Sequence, residues 1–327
     1  MIYVDYPRSS NFSNDTNLTI EGWELSETSN STIKVFLDNT EIAVNRYERQ
    51  DVLNYYPNAY GGAVKNATPG FTTKLSLNNV TAGSHTISIK LYSSFGDLIS
   101  EVQKVIYVYS NMYFGIDVSS HQGNIDWKSV AASGIDFVII RLGYGDNISS
   151  QDDKKFLENV NGAVSYGIPY GVYLYSYATK LNGTNALNVD SSSIDSEIAH
   201  VLRVLSGLNN TQKSQLKLPV FLDMEDDSTM SIGKSALTNM ADYFCSNIQN
   251  NGYSCGIYAN KNWLNNYLDS NYLASKYHIW LAHYTGSYDV LSDYTGLYQI
   301  WQYTSDGTLD GIYSSGLDMN ISLKKYW

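Results

Sequence analysis

Residues 218–226 read Leu218-Pro219-Val220-Phe221-Leu222-Asp223-Met224-Glu225-Asp226. A short apolar run of this kind, opening beside a proline and closing in carboxylates, reads as a buried strand. Side chains alternate along a strand, so Asp223 and Glu225 share one face, about 7 Å apart along the backbone. Phe221 lies deeper on that face, while Val220, Leu222 and Met224 point the other way, toward covering helices. A carboxylate ending such a run is costly to bury without a partner or a task.

Outward from this strand the chain alternates. Strands are expected at 113–119, 136–144, 169–177, 218–226, 255–260, 278–284, 298–304 and 316–322. Helices are expected at 127–133, 152–166, 192–205 and 234–250, between the first five of those strands. Gly134, Gly167, Gly207 and Gly252 follow the four helices, where a left-handed C-cap is wanted. Eight strands with fewer helices point to a flattened (β/α) TIM-like barrel over residues 111–327, and about 215 residues suits that architecture. Residues 1–110 have another rhythm, with strands expected at 18–25, 32–37, 71–77, 85–92 and 102–109 and no helix. That pattern suggests an all-β sandwich of immunoglobulin-like type, a binding or spacing unit without an acid–base cluster.

The 327 residues carry 21 Lys+Arg against 32 Asp+Glu, a net charge of −11, which argues against nucleic-acid binding. No apolar run is long enough for a membrane span. The opening Met1-Ile2-Tyr3-Val4-Asp5 has a charge where a secretion leader would be apolar, so no signal peptide is expected. N-x-S/T triplets, as at Asn11 and Asn320, read as chance matches in an Asn- and Ser-rich chain. Two cysteines exclude a disulfide scaffold. A bridge would need their Cα atoms within about 7 Å. Cys245 sits mid-helix and Cys255 opens the next strand, so two buried thiols are expected.

In such a barrel the C-terminal strand ends build the active site. Asp117 falls there on the first strand, Asp223 and Glu225 on the fourth, and Asp318 on the eighth. Two carboxylates in unlike environments can divide into a protonated acid and an ionised partner, the pair glycoside hydrolysis needs. A metal site is the competing use of clustered oxygens, but only His121 lies nearby, so no metal or other cofactor is expected. Sugar rings pack on aromatic faces. Tyr173, Tyr175 and Tyr177 alternate on the third strand, Trp280 and Tyr284 on the sixth, and Trp301 and Tyr303 on the seventh.

From Phe114 to Leu323 the chain resembles glycoside hydrolase family 25, the Chalaropsis-type lysozymes. The matching stretches are 115–123 with 125–127, 137–141, 167–173, Pro219–Glu225, Trp301-Gln302-Tyr303 and Leu317-Asp318-Met319-Asn320. The resemblance implies cleavage of the β-1,4 bond between N-acetylmuramic acid and N-acetylglucosamine in bacterial peptidoglycan, at the cell wall. The setting would be extracellular, phage-released or spore-associated. It makes Glu225 the general acid/base and Asp223 the stabiliser of the anomeric centre or of the substrate's 2-acetamido group, with Asp117 and Asp318 holding the network. Tyr173, Tyr175, Tyr177, Tyr284, Trp301, Tyr303 and Asn320 are the substrate-binding candidates. Some family members carry Lys and a Ser/Thr-Glu-Gly run after the second strand; here Arg141-Leu142-Gly143-Tyr144-Gly145 stands there, and no catalytic role is expected of it. The alternative is a barrel that binds wall glycans without cutting them. For residues 1–110 the choices are wall targeting, spacing or dimerisation, with cell-wall polymer binding favoured.

Overall fold

The computed structural model describes residues 1–27, 30–59, 67–180, 192–288 and 292–327. The chain divides into two compact units, one of Met1–Asn111 with Thr295–Leu297, the other of Met112–Tyr294 with Tyr298–Trp327. No helix is long and apolar enough to cross a membrane, among the described residues.

The first unit contains β1 (Ile2–Tyr6), β2 (Asn11–Ser13), β3 (Asn17–Glu24), β4 (Thr32–Leu37), β5 (Thr40–Ile42) and β6 (Asn45–Tyr47). After α1 (Gln50–Tyr55) come β7 (Gly70–Ser76), β8 (Gly83–Tyr92) and β9 (Leu98–Tyr109). They form two sheets, ordered β1-β3-β7-β6 and β2-β9-β8-β4-β5. Alternating residues of both sheets meet in one core: Leu18, Ile20 and Phe71 from the first, Val35, Ile89 and Ile106 from the second. Such interdigitation of inner faces is what holds two sheets together. The helix α1 departs from the all-strand expectation. It is six residues long and buries only Val52, beside Trp23 and Leu25, too little for helical periodicity to register.

The second unit begins with β10 (Tyr113–Val118), α2 (Trp127–Ala132), β11 (Phe137–Tyr144), α3 (Phe156–Ser165) and β12 (Tyr170–Tyr175). The short pair β13 (Ala178–Lys180) and β14 (Ser192–Ser193) precedes α4 (Ile194–Ser206), α5 (Asn210–Gln215), β15 (Leu216–Asp223) and α6 (Lys234–Asn250). Next are β16 (Cys255–Asn260), α7 (Lys261–Asn266), α8 (Ser270–Ala274), β17 (His278–Ala282), β18 (Ile300–Leu309) and β19 (Ile312–Ser322). Eight strands, β10-β11-β12-β15-β16-β17-β18-β19, close into a barrel. The helices α5, α7 and α8 lie outside the expectation; each has five or six residues, less than two turns of pattern.

Sequence chemistry accounts for the longer helices. In α6, Leu237, Met240, Ala241, Phe244 and Ile248 recur at helical spacing and are buried. In α4, Ser193 caps the first turn by accepting from the Ser196 amide, with Asp195 and Glu197 in the first turn and Arg203 in the last. Gly134, Gly167 and Gly252 take the left-handed conformation expected after their helices. Gly207 does not; it stays right-handed at φ −73°, as the chain turns directly toward α5.

The barrel interior is filled rather than hollow. Phe137, Ile139, Leu218, Phe221, Tyr258, Trp280 and Ile300 form its core. Gly115 and Gly256 make this possible, because a Cβ at either would lie 2.4–2.5 Å from the ring of Phe137 or Phe221. Two expectations need correction here. Neighbouring strands from β10 to β18 pair in parallel, but β19 runs antiparallel to both β18 and β10. The second concerns the cysteines: Cys245 and Cys255 are joined by a disulfide, with Cα atoms 5.3 Å apart. The helix ends at Asn250, the chain reverses through Gly252 (φ 86°), and β16 runs back along α6, returning Cys255 to the level of Cys245.

Candidate active site

Register brings the four acids together. Asp117 on β10 and Asp318 on β19 are direct Cα partners across the antiparallel closure. Asp318 thus reaches the barrel mouth because its strand runs backward, and not by ending a parallel strand as expected. Asp223 is the last residue of β15, flanked in register by Tyr175 on β12 and Tyr258 on β16. The chain stays extended past the strand, held by a bond from the Met224 amide to the Tyr258 carbonyl (2.9 Å), so Glu225 keeps the alternation of Asp223. Asp117, Asp223, Glu225 and Asp318 all line one cavity of about 250 Å³, together with His121, Arg141, Tyr173, Tyr175, Tyr258, Trp280, Tyr284 and Gln302.

The cavity holds its acids in different ways. Asp117 is buried, and its Oδ2 accepts from the side-chain amides of Gln302 (2.9 Å) and Asn320 (2.8 Å). Asp223 is also buried, and its Oδ1 has no hydrogen-bond partner among the described residues. Burial pushes both carboxyls well above the usual carboxylate range; the negative charge of Asp318 adds to this at Asp117, and that of Glu225 at Asp223. Glu225 is less enclosed, and burial with the charge of Asp318 raises it too. Burial moves Asp318 up to about 6. Four acids with raised proton affinity in one hollow can hold and hand over protons near neutral pH.

Arg141 supplies a guanidinium to the same cavity. Its Nε donates to the buried Asp153 (2.8 Å) and its Nη2 to Ser120 (3.0 Å), which fixes the group beside the acids. Among the charges acting on Asp223, Arg141 favours the ionised form. The 141–145 segment, of which no catalytic role was expected, contributes a charged group to the cavity wall.

The aromatic candidates separate into three groups. Tyr173, Tyr175 and Tyr284 line the cavity. Tyr177 lies beyond the end of β12, 39% exposed, its ring against Tyr175 (5.0 Å) and Tyr144 (6.2 Å). Trp301 and Tyr303 do not line it. Trp301 is fully buried and donates its indole N–H to the His283 carbonyl (2.8 Å), while the Tyr303 hydroxyl meets Met319 Sδ. The alternation on β18 is one residue out of phase with the expectation: Gln302, between them, is the side chain that faces the acids. Asn320 is fully buried and bridges Trp280 to Asp117, which places it behind the cavity wall.

Tyr258, Trp280, Gln302, Arg141 and His121 line the cavity without being among the site residues expected from sequence. Trp280 shares its strand face with Tyr284 and stands among the aromatic residues noted for sugar packing, though not among the substrate-binding candidates. Tyr258 had a usable signal in its place on β16, beside the acid-bearing strand. Gln302 was hidden because an amide between two large rings looks like the outward residue of the three.

The family model for glycosyl hydrolases family 25 matches residues 116–312. The chain is 27% identical over 212 residues to Lysozyme M1 of Streptomyces globisporus, covering 63% of this chain and 66% of that protein. It is 27% identical over 202 residues to the autolytic lysozyme of Clostridium acetobutylicum, covering 62% and 53%. The match thus spans between about half and two thirds of these relatives. Among solved structures, the bacterial lysozyme from Streptomyces coelicolor superposes with a TM-score of 0.50 at 26% identity, over 64% of this chain and 90% of that one. The modular autolysin LytC from Streptococcus pneumoniae shares the fold with a TM-score of 0.51 at 23% identity, over 74% and 57%. On the strength of the family match, which covers more than half of its residues, the chain belongs to glycosyl hydrolases family 25.

Proposed function

We propose that this protein is a lysozyme that cleaves the β-1,4 bond between N-acetylmuramic acid and N-acetylglucosamine in bacterial peptidoglycan. The observation that carries the reading is the convergence of Asp117, Asp223, Glu225 and Asp318 on one cavity that Tyr173 and Trp280 also line. Glu225 is the acid and then the base, because it is the less enclosed of Asp223 and Glu225 and its proton affinity is raised. Asp223 faces the anomeric centre. Its unpartnered Oδ1 suits an N–H of the substrate's 2-acetamido group, which would make that group the internal nucleophile and give net retention. Asp117, anchored by Gln302 and Asn320, and Asp318 hold the charge balance around them. Tyr175, Tyr177 and Tyr284 offer ring faces at the rim.

For Met1–Asn111 the proposal is an immunoglobulin-like sandwich that binds a cell-wall polymer, so that the protein works at the wall. Its support is a set of rings: Tyr3, 55% exposed, stacks on Trp23 at 5.3 Å, and Tyr55 is 78% exposed beside Tyr56. Such faces suit sugar rings.

Turbidity loss of purified peptidoglycan tests the main reading. The wild type should clear the suspension, Glu225→Gln should not, and the variant should melt as the wild type does. Clearing by Glu225→Gln at the wild-type rate would remove the assignment. Co-sedimentation of the Glu225→Gln chain with insoluble walls, with and without Tyr3→Ala and Tyr55→Ala, tests the binding role of the first unit.

A further inference from the structure

Glu197 is a buried carboxylate that stands outside the acid cluster, on the first turn of α4. Both its oxygens accept from the segment that follows β12. Oε2 accepts from the Ser176 hydroxyl (2.7 Å) and Oε1 from the Tyr177 amide (2.8 Å). A hydroxyl has one proton and two lone pairs, so Ser176 Oγ can also accept, and the Ala178 amide donates to it (3.3 Å). The strand ladder ends before these groups. β12 closes at Tyr175, whose partners are Tyr144 on β11 and Asp223 on β15. Two residues later the side chain of Glu197 takes the place of a neighbouring strand and accepts the Tyr177 N–H.

The backbone of Asp223 is secured without Glu197. It lies in register between Tyr175 and Tyr258, its carbonyl accepts from the Ser176 amide (2.9 Å), and the Met224 amide bonds the Tyr258 carbonyl (2.9 Å). Tyr175 is secured likewise, its carbonyl accepting from the Gly145 amide (2.9 Å). Tyr177 is different: its amide goes to Glu197, and its exposed ring lies against Tyr175 at 5.0 Å.

We propose that Glu197 is a positioning residue for sugar binding: it fixes the backbone at Tyr177, so that the ring stands at the rim to pack on a wall glycan. The inference rests on the reading of the cavity as a peptidoglycan site with Tyr177 among its rim rings. Without acceptors at position 197, a buried hydroxyl and a part-buried amide lose their partners, and such groups are costly to leave unpaired. The 176–178 segment then shifts until water reaches them, and the Tyr177 ring moves with it. The ladder meanwhile keeps Asp223 and Tyr175 in place. Loss of Glu197 is therefore a loss of affinity, not of chemistry.

The test is kinetic, on the full chain with soluble glycan strands from peptidoglycan, followed by release of reducing ends. Leucine suits a helix as glutamate does but offers no acceptor. Glu197→Leu should raise KM about tenfold, the worth of one ring contact, with kcat within about twofold of wild type. Tyr177→Ala should do the same, and the double variant should be no worse than either alone. Glu197→Gln should keep KM near wild type, because its Oε1 still accepts the Tyr177 amide while its Nε2 can donate to Ser176 Oγ. Dissociation constants of the same strands, measured in the Glu225→Gln background, should follow KM and need no turnover. A kcat loss in Glu197→Leu at unchanged KM overturns the proposal, because the residue would then act through Asp223. So do KM effects that multiply in the double variant, or a Glu197→Gln variant as weak as Glu197→Leu. Should Glu197→Leu fail to fold, Glu197→Asp takes its place: one methylene shorter, it cannot span both donors, and Tyr177→Ala should absorb the rise in KM. Strands that bind with this pattern but are not cut would keep the role of Glu197 and sink the lysozyme reading instead. Strands that neither bind nor are cut would take both down.

Discussion

Two buried carboxylates, one in each unit, show what separates an acid that holds a fold from one kept for chemistry. Glu24 in the first unit has a side chain with no exposure, and Arg46 Nη2 meets it at 2.7 Å while the Ser31 hydroxyl donates to it at 2.8 Å. Asp223 in the second unit is nearly as enclosed, yet the charges acting on it are mostly those of other acids, Glu225, Asp117 and Asp318, against the single guanidinium of Arg141. Burial without neutralisation costs free energy that a well-paired carboxylate avoids. A site keeps such a deficit where an incoming substrate will complete it, so the incomplete shell is the sign of function and the neutralised one of structure.

Exchange of each carboxylate for its amide should therefore give opposite patterns. Asp223→Asn is expected to lower wall lysis by about a thousandfold or more, since an electrostatic group at a reacting centre is commonly worth a few kcal/mol. Its melting temperature should stay level or rise, because the neutral amide relieves repulsion with Glu225 and Asp117. Glu24→Gln should do the reverse: it leaves Arg46 without its counter-charge and destabilises the first unit by about 3 kcal/mol, with cleavage of soluble glycan chains unchanged. Calorimetry with a turbidity assay on both variants checks the pair. Destabilisation by Asp223→Asn, or lost cleavage in Glu24→Gln, would erase the distinction.

The units also differ in how much their sequences disclose, for reasons of spacing. In the barrel, β16 and α6 have the expected bounds, because a compact apolar run and a five-residue buried stripe leave little choice. The acids are legible because an apolar strand gains nothing from ending in buried carboxylates unless they are used. Phase and direction are what the sequence conceals. Trp301 and Tyr303 have the large rings that a sugar site favours, yet the inward residue is Gln302. The reversed course of β19 leaves no trace in composition, since antiparallel and parallel strands use the same residues. In the first unit, β1, β2, β5 and β6 have three to five residues each, below the length at which alternation can be recognised.

The cysteine bridge is hidden for a similar reason: a helix followed outward carries the chain away from Cys245, and only the reversal at Gly252 brings it back. The bridge closes a loop with a sequence separation of 10, and constraining a loop of that size in the unfolded chain stabilises by about 2–3 kcal/mol. Reduction, or the Cys245→Ala/Cys255→Ala pair, should lower the unfolding transition of the second unit and leave that of the first in place. Two resolved calorimetric transitions, with and without reductant, would show it. A shift in the Glu24-dependent transition would mean that the units do not unfold separately.

The smallest expected effect concerns Asp318, whose carboxyl is raised to about 6 by burial. An acid with a raised folded-state value binds its proton more tightly in the native protein than in the unfolded chain. Below the unfolded value of about 4 both states are protonated, and burial carries no charge penalty. As pH rises from there toward 6, the unfolded chain releases the proton first and gains stability, so the native state is progressively disfavoured. Above 6 the penalty is complete. Asp318→Asn lacks this titration, so its stability relative to wild type should rise between pH 4 and 6 and level off beyond. The gain should be about 1 kcal/mol, because the carboxylate is partly open to solvent. Groups shifted the other way, such as Asp242 with Lys276 and Asp152 with Arg203, titrate identically in both proteins and cancel in the difference. Denaturant midpoints at four or five pH values would trace the curve. A difference that is flat, or that falls as pH rises, would show that the carboxyl of Asp318 is satisfied in the way that of Glu24 is, and would move it from the functional side of the comparison to the structural one.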